Sequence, residues 1–85
     1  MAAYEIFFKA SVWKELRKVP RAELKKILAR IELLASDPRP PDSEKLASQE
    51  LHRIRQGNYR IVYSIQDASL TVWVIKVGDR KDVYR

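Results

Sequence analysis

Leu51-His52-Arg53-Ile54-Arg55-Gln56-Gly57-Asn58-Tyr59-Arg60-Ile61-Val62-Tyr63 reads as two strands joined by a tight turn. Gly57-Asn58 tolerates the positive φ angles that a short hairpin loop demands. With those two residues as the loop, Gln56 faces Tyr59, Arg55 faces Arg60, Ile54 faces Ile61, Arg53 faces Val62 and His52 faces Tyr63. Opposite residues share a face, and the face alternates along each strand. Arg53, Arg55 and Arg60 therefore fall together, and Ile54, Tyr59, Ile61 and Tyr63 fall on the other side. Like charges directly opposite cost up to ~1 kcal/mol. An anion held between the arginines would offset that cost, and a phosphodiester suits an arginine fork. A solvated basic face with splayed arginines is the alternative, and a three-residue loop would change which arginine opposes which.

Working outward, Tyr4 to Lys9 is aromatic and β-branched, a first strand. Ser11 is a candidate N-cap for a short helix to about Lys18, with Val12, Leu16 and Val19 on one face. Ser11-Val12-Trp13-Lys14 spells S-x-x-K, but none of the other machinery of that enzyme class accompanies it. Pro20 stands where a second helix begins, and Leu24, Ile27, Leu28, Ile31 and Leu34 recur at helical spacing through Ala35. Its other face carries Arg21, Lys25, Lys26 and Arg30, which reads as a solvated helix face. Asp37-Pro38-Arg39-Pro40-Pro41-Asp42 stops that helix, and Ser43 to Glu50 leads into the hairpin with room for one helical turn. Leu70 to Val77 is a nearly continuous apolar strand ended by Gly78, which predicts Trp73 in the core and Trp13 at a helix–sheet seam. The fold class is α+β: a strand, a helical hairpin, then a three-stranded antiparallel meander, with the helices on one face.

The 85 residues fit a single domain, 1–85, and 46% hydrophobic content supports a folded core. There is no cysteine, so no disulfide or thiolate metal site is available. No apolar stretch approaches the ~18–20 residues of a membrane span, and no signal-peptide pattern opens the chain. A cytoplasmic protein is expected. The net charge of +6 raises the prior for a polyanionic partner.

The chemistry on offer is narrow. His52 is the only histidine, and alternation puts it on the helix-covered face, buried beside Tyr63. No His/Asp/Glu cluster has metal-ligand spacing, and no glycine-rich phosphate loop appears. Arginine and tyrosine remain. RNA carries its own nucleophile, the 2′-hydroxyl beside the scissile phosphate, so positioning supplies much of the acceleration. Arginines stabilise the charge growing on phosphate oxygens, and a tyrosine stacks a base or moves a proton.

The run Leu-x-Arg-Ile-Arg-x-Gly-Asn-Tyr-Arg-Ile-Val-Tyr, a strand, and then Val-Gly-Asp-Arg-Lys-Asp-Val-Tyr-Arg resembles the RelE branch of the RelE/ParE toxin superfamily. The resemblance covers nearly the whole chain. It implies a toxin of a type II toxin–antitoxin system: a ribosome-dependent endoribonuclease, or mRNA interferase, cleaving mRNA in the ribosomal A site without a metal or other cofactor. By resemblance Arg60 stabilises the transition state, Arg80 is a second phosphate-contacting arginine, and Tyr84 stacks on a base or helps with proton transfer. Arg53, Arg55, Lys81 and Arg85 are the expected RNA-binding residues. Leu51 stands where the family can carry a lysine, and the glutamate–histidine pair of the YoeB type is not evident. The expected partners are mRNA on the ribosome, 16S rRNA and a RelB-like cognate antitoxin whose acidic segment blocks the cleft. Operator DNA is expected only through the antitoxin complex. Two other readings stand beside this one: a ParE-like inhibitor of DNA gyrase that is not a nuclease, and a plain RNA-binding module.

Overall fold

The hairpin sets the frame of the sheet. In the computed structural model, which describes residues 3–46 and 50–79, β3 (Leu51–Gln56) and β4 (Tyr59–Gln66) pair in the register expected from a two-residue loop. Gly57 adopts φ +61°, while Asn58 keeps an ordinary negative φ. Left-handed backbone at the first loop position only is the pattern of a type II′ turn, whose twist suits hairpin strands.

Three further strands and two helices complete the fold: β1 (Glu5–Phe8), α1 (Ala10–Arg17), α2 (Arg21–Leu33), β2 (Glu44–Lys45) and β5 (Thr71–Asp79). The sheet order is β1-β5-β4-β3-β2, with β1 parallel to β5 and the other neighbours antiparallel. This is the expected α+β arrangement with two refinements. Glu44 and Lys45 extend the sheet as a two-residue edge strand where the sequence suggested a helical turn. Strand β5 runs through Gly78 to Asp79 rather than stopping at the glycine.

Both helices lie on one face of the sheet. Val12, Leu16 and Val19 from the first helical segment meet Ile27, Ile31 and Leu34 from the second. Ile54, Ile61, Tyr63, Ile65, Val72, Val74 and Val77 close the core from the sheet. The α1 N-cap is Lys9, with no side-chain cap, so Ser11 falls inside the helix. Pro20 is itself the N-cap of α2. Among the described residues no helix is long and apolar enough to cross a membrane.

The proline segment is pinned from the core. The Tyr63 hydroxyl donates to the carbonyl of Pro38 at 2.7 Å, and burial pushes its pKa up to about 12. Above that segment, Arg39 and Tyr4 both donate to Asp67, which ties the start of β1 to the β4–β5 turn.

Strand β1 stops at Phe8, opposite Val74, yet β5 continues to Asp79. Helix α1 takes over along that edge. The Glu15 carboxylate accepts the backbone N–H of Val77 at 2.9 Å and the Lys76 ammonium at 3.0 Å. The half-exposed lysine pair contributes little, whereas a backbone donor left without an acceptor costs more. Glu15→Ala is expected to lower stability by about 1–3 kcal/mol in urea unfolding, and Glu15→Gln, which keeps an oxygen acceptor, to recover most of it.

Candidate functional site: an arginine end and an aromatic end on one sheet face

The sheet face away from the helices is organised in rows. Arg55 lies opposite Arg60, which lies opposite Gly78. The next row runs Glu44, Arg53, Val62. The third runs Leu51, Ser64, Trp73, Phe7. Residues two apart on a strand share a face, so successive rows are ~6.6–6.8 Å apart.

The first two rows bring together three of the residues singled out in the sequence, and they do so with their own anion. Arg53 donates to the Glu44 carboxylate, with only 12% of the arginine side chain exposed. The Arg53 guanidinium, and beyond it Arg55 and Arg60, hold the Glu44 carboxyl below the usual carboxylate range. Edge strand β2 thus delivers a counter-charge to the point where like charges face each other. A two-residue strand has no periodic signal, so the sequence alone does not mark Glu44.

Depth separates the arginines. Arg55 is exposed, but Arg60 is only 3% exposed. A solvated basic face with splayed arginines therefore does not describe its centre: β4 is the middle strand, flanked by β3 and β5, and Arg60 sits in its row between two neighbours. A guanidinium in such a place is held in a defined position. Strand β5 carries the chain to Asp79, opposite Tyr59 and next to the Arg60 row. Arg80, Lys81, Tyr84 and Arg85, the other expected site residues, lie outside the described residues.

Trp73 corrects a second expectation. It is 40% exposed, not core, and stacks on Phe7 (also 40% exposed) with ring centroids 5.1 Å apart at 25°. Val72 and Val74 take the core-facing positions on either side of it. Trp13 does lie at a helix–sheet seam, 4.7 Å from Phe8 and half exposed. It borders an apolar cleft of about 650 Å³ with Ile6, Leu28 and Ile31.

His52 lies on the covered face, buried and stacked on Tyr63 at 5.7 Å, away from the arginine rows. Burial first, and then the charges of Arg39 and Lys45, lower its pKa from 6.5. The folded protein therefore takes up this proton less readily than the unfolded chain. The stability associated with neutral His52 is present above pH ~6.5 and is lost as pH falls through the lower folded value. Asp67 has the same sign in a lower window. Arg39 first, and then Tyr4, hold its carboxyl at about 2 rather than 3.8, so its contribution is lost between those values. Unfolding free energy is expected to fall in two acid steps, and His52→Gln to remove only the upper one.

The family described as the ParE toxin of type II toxin–antitoxin systems (parDE) matches residues 6–84. Among curated relatives, the mRNA interferase toxin RelE of Escherichia coli K12 is 36% identical over 76 residues, covering 85% of this chain and 77% of that protein. Among solved structures, the RelE–RelB complex of Pyrococcus horikoshii superimposes with a TM-score of 0.84 at 27% identity, covering 96% of this chain and 99% of that one. The isolated E. coli RelE toxin gives 0.80 at 27% identity, covering 96% and 92%.

Proposed function

The chain belongs to the ParE toxin family of type II toxin–antitoxin systems, in its RelE branch, and from that premise we propose that it is an mRNA interferase that cleaves mRNA on the ribosome. The observation that carries the reading is the row that sets Arg55 opposite Arg60, with Arg53 and Glu44 in the row beside it. Such a cluster is built for an anion, and a phosphodiester is the anion of this family's substrate.

In the proposed reaction the 2′-oxygen forms a bond to phosphorus, and the bond from phosphorus to the 5′-oxygen breaks. The products are a 2′,3′-cyclic phosphate and a 5′-hydroxyl. The 2′-hydroxyl loses its proton and the leaving oxygen gains one. Arg60 stabilises the charge growing on the non-bridging oxygens from its fixed, buried position. Exposed Arg55 and Glu44-linked Arg53 hold the flanking phosphates. By resemblance Arg80 adds a second phosphate contact, Tyr84 stacks or moves a proton, and Lys81 and Arg85 bind RNA. Because the substrate brings its nucleophile, the step needs no metal-activated water. A RelB-like antitoxin is the proposed partner, supported by the likeness to RelE–RelB complexes. The 16S rRNA is the proposed ribosomal contact, and operator DNA is bound only through the antitoxin complex.

The family match is by a ParE description, which keeps one second reading in view: inhibition of DNA gyrase without cleavage. Purified protein added to a defined translation mixture separates the two. Cuts with 2′,3′-cyclic phosphate ends, appearing only when ribosomes are present, are expected. Arg60→Ala is expected to slow them by ~10²–10³-fold, and Arg60→Lys, which keeps the charge but loses the fork, to recover only part. Intact mRNA together with blocked supercoiling would replace this reading with the second.

A further inference from the structure

The third row of the open face has no role in the reaction above, and its residue choice is unusual. Across β3, β4, β5 and β1 it reads Leu51, Ser64, Trp73, Phe7: apolar, small, aromatic, aromatic. Phe7 and Trp73 stack on each other and remain 40% exposed, although burying an aromatic side chain is one of the larger stabilising terms open to a small domain. Ser64 gives the row a low floor between two bulky residues. Neighbouring strands lie ~4.8 Å apart, so the backbones carrying Trp73 and Leu51 are ~10 Å apart across Ser64. Aromatic rings stack with centroids ~4.5–7 Å apart, so that interval takes one flat ring.

The row is continuous with the arginine end. Ser64 lies four residues along β4 from Arg60, or ~13 Å at ~3.3–3.4 Å per residue. A single strand anchored by a phosphate at Arg60 reaches the row within a few nucleotides. A sheet face that pairs cationic rows with exposed aromatic rings is a recurring way to hold single-stranded RNA, since every base has a face to stack. The alternative occupant, an acidic amphipathic peptide, explains the arginines and the apolar character. It does not explain a small residue set between Leu51 and a stacked indole, which suits a flat ring.

We propose that Trp73, Ser64 and Leu51 form a nucleobase slot, backed by Phe7, that stacks one base of the RNA strand whose phosphate lies at Arg60. This rests on the RNA reading of the arginine end. The slot positions the strand and takes no part in bond breaking.

The test uses a hexanucleotide RNA with 2′-methoxy groups, which cannot be cleaved, at low salt. Trp13 and Trp73 are the two tryptophans, so the Trp13→Phe protein reports Trp73 fluorescence alone. The expected result is quenching on RNA binding, with affinity ~5- to 100-fold weaker in Trp73→Leu and in Ser64→Leu, which fills the slot. Trp73→Phe keeps a ring and is expected to bind nearly as wild type, which excludes a folding defect as the cause. The salt dependence of binding stays unchanged in the slot variants but becomes shallower in Arg60→Ala, because only the latter loses a phosphate contact. RNA binding that depends on Arg60, yet neither quenches Trp73 nor weakens in Ser64→Leu, overturns the slot and leaves the RNA reading standing. No binding of the hexanucleotide overturns the slot, while the RNA reading of the arginine end is decided by ribosome-dependent cuts in the translation mixture and their loss in Arg60→Ala. Quenching by an acidic Leu/Glu amphipathic peptide but not by RNA assigns the row to a protein partner and overturns the slot.

Discussion

Everything on the arginine face depends on the register of one hairpin. Side chains alternate with a period of two, so a slip of β3 by one residue against β4 would turn Arg53 and Arg55 toward the helices and Ile54 to water, and leave Arg60 on the open face without them. The left-handed Gly57 fixes the loop at two residues, and the buried isoleucine pair penalises any other register. The repulsion between Arg55 and Arg60 is therefore a cost imposed by packing elsewhere. Edge strand β2 offsets it by setting Glu44 across from Arg53.

The two sheet faces divide the labour. One carries the apolar residues that hold α1 and α2, with Tyr63 anchoring the proline segment from inside the core. The other carries few residues needed for packing, which leaves its rows free to be arranged by charge at one end and by aromatic surface at the other. Stability and recognition thus meet on the same strands without sharing side chains. His52 illustrates the division: it is one residue from Arg53, yet faces the core and stacks on Tyr63.

Much of this was legible from residue order. The hairpin register, the arginine grouping, the two helices and the place of His52 follow from alternation, helical spacing and one turn glycine. What escaped did so for identifiable reasons. In Leu70 to Val77 both faces of the strand are apolar, so alternation carries no contrast, and Trp73 reads as core although it faces outward. A two-residue strand such as β2 is too short for any period to show. Alternation names the face of a side chain but not its depth, which is why Arg60 reads as exposed and is nearly buried. Depth depends on the strands on both sides: β4 lies between β3 and β5 through its own antiparallel pairings, and β1 completes the sheet by its long-range pairing with β5.

That pairing also fixes when the domain can exist. Among the described residues, strand β1 has its only strand neighbour in β5, with Glu5 beside Thr71 and Phe8 beside Val74. The helical hairpin can form early from local contacts, but its apolar face has no complete sheet to cover until residue 77 has been synthesised. Contacts of such sequence separation are slow to form and cannot be nucleated by a partial chain. Synthesis and folding are thereby locked in sequence: a translation product interrupted before β5 lacks the partner of β1 and one flank of β4, and with them the frame that holds Arg60 in place.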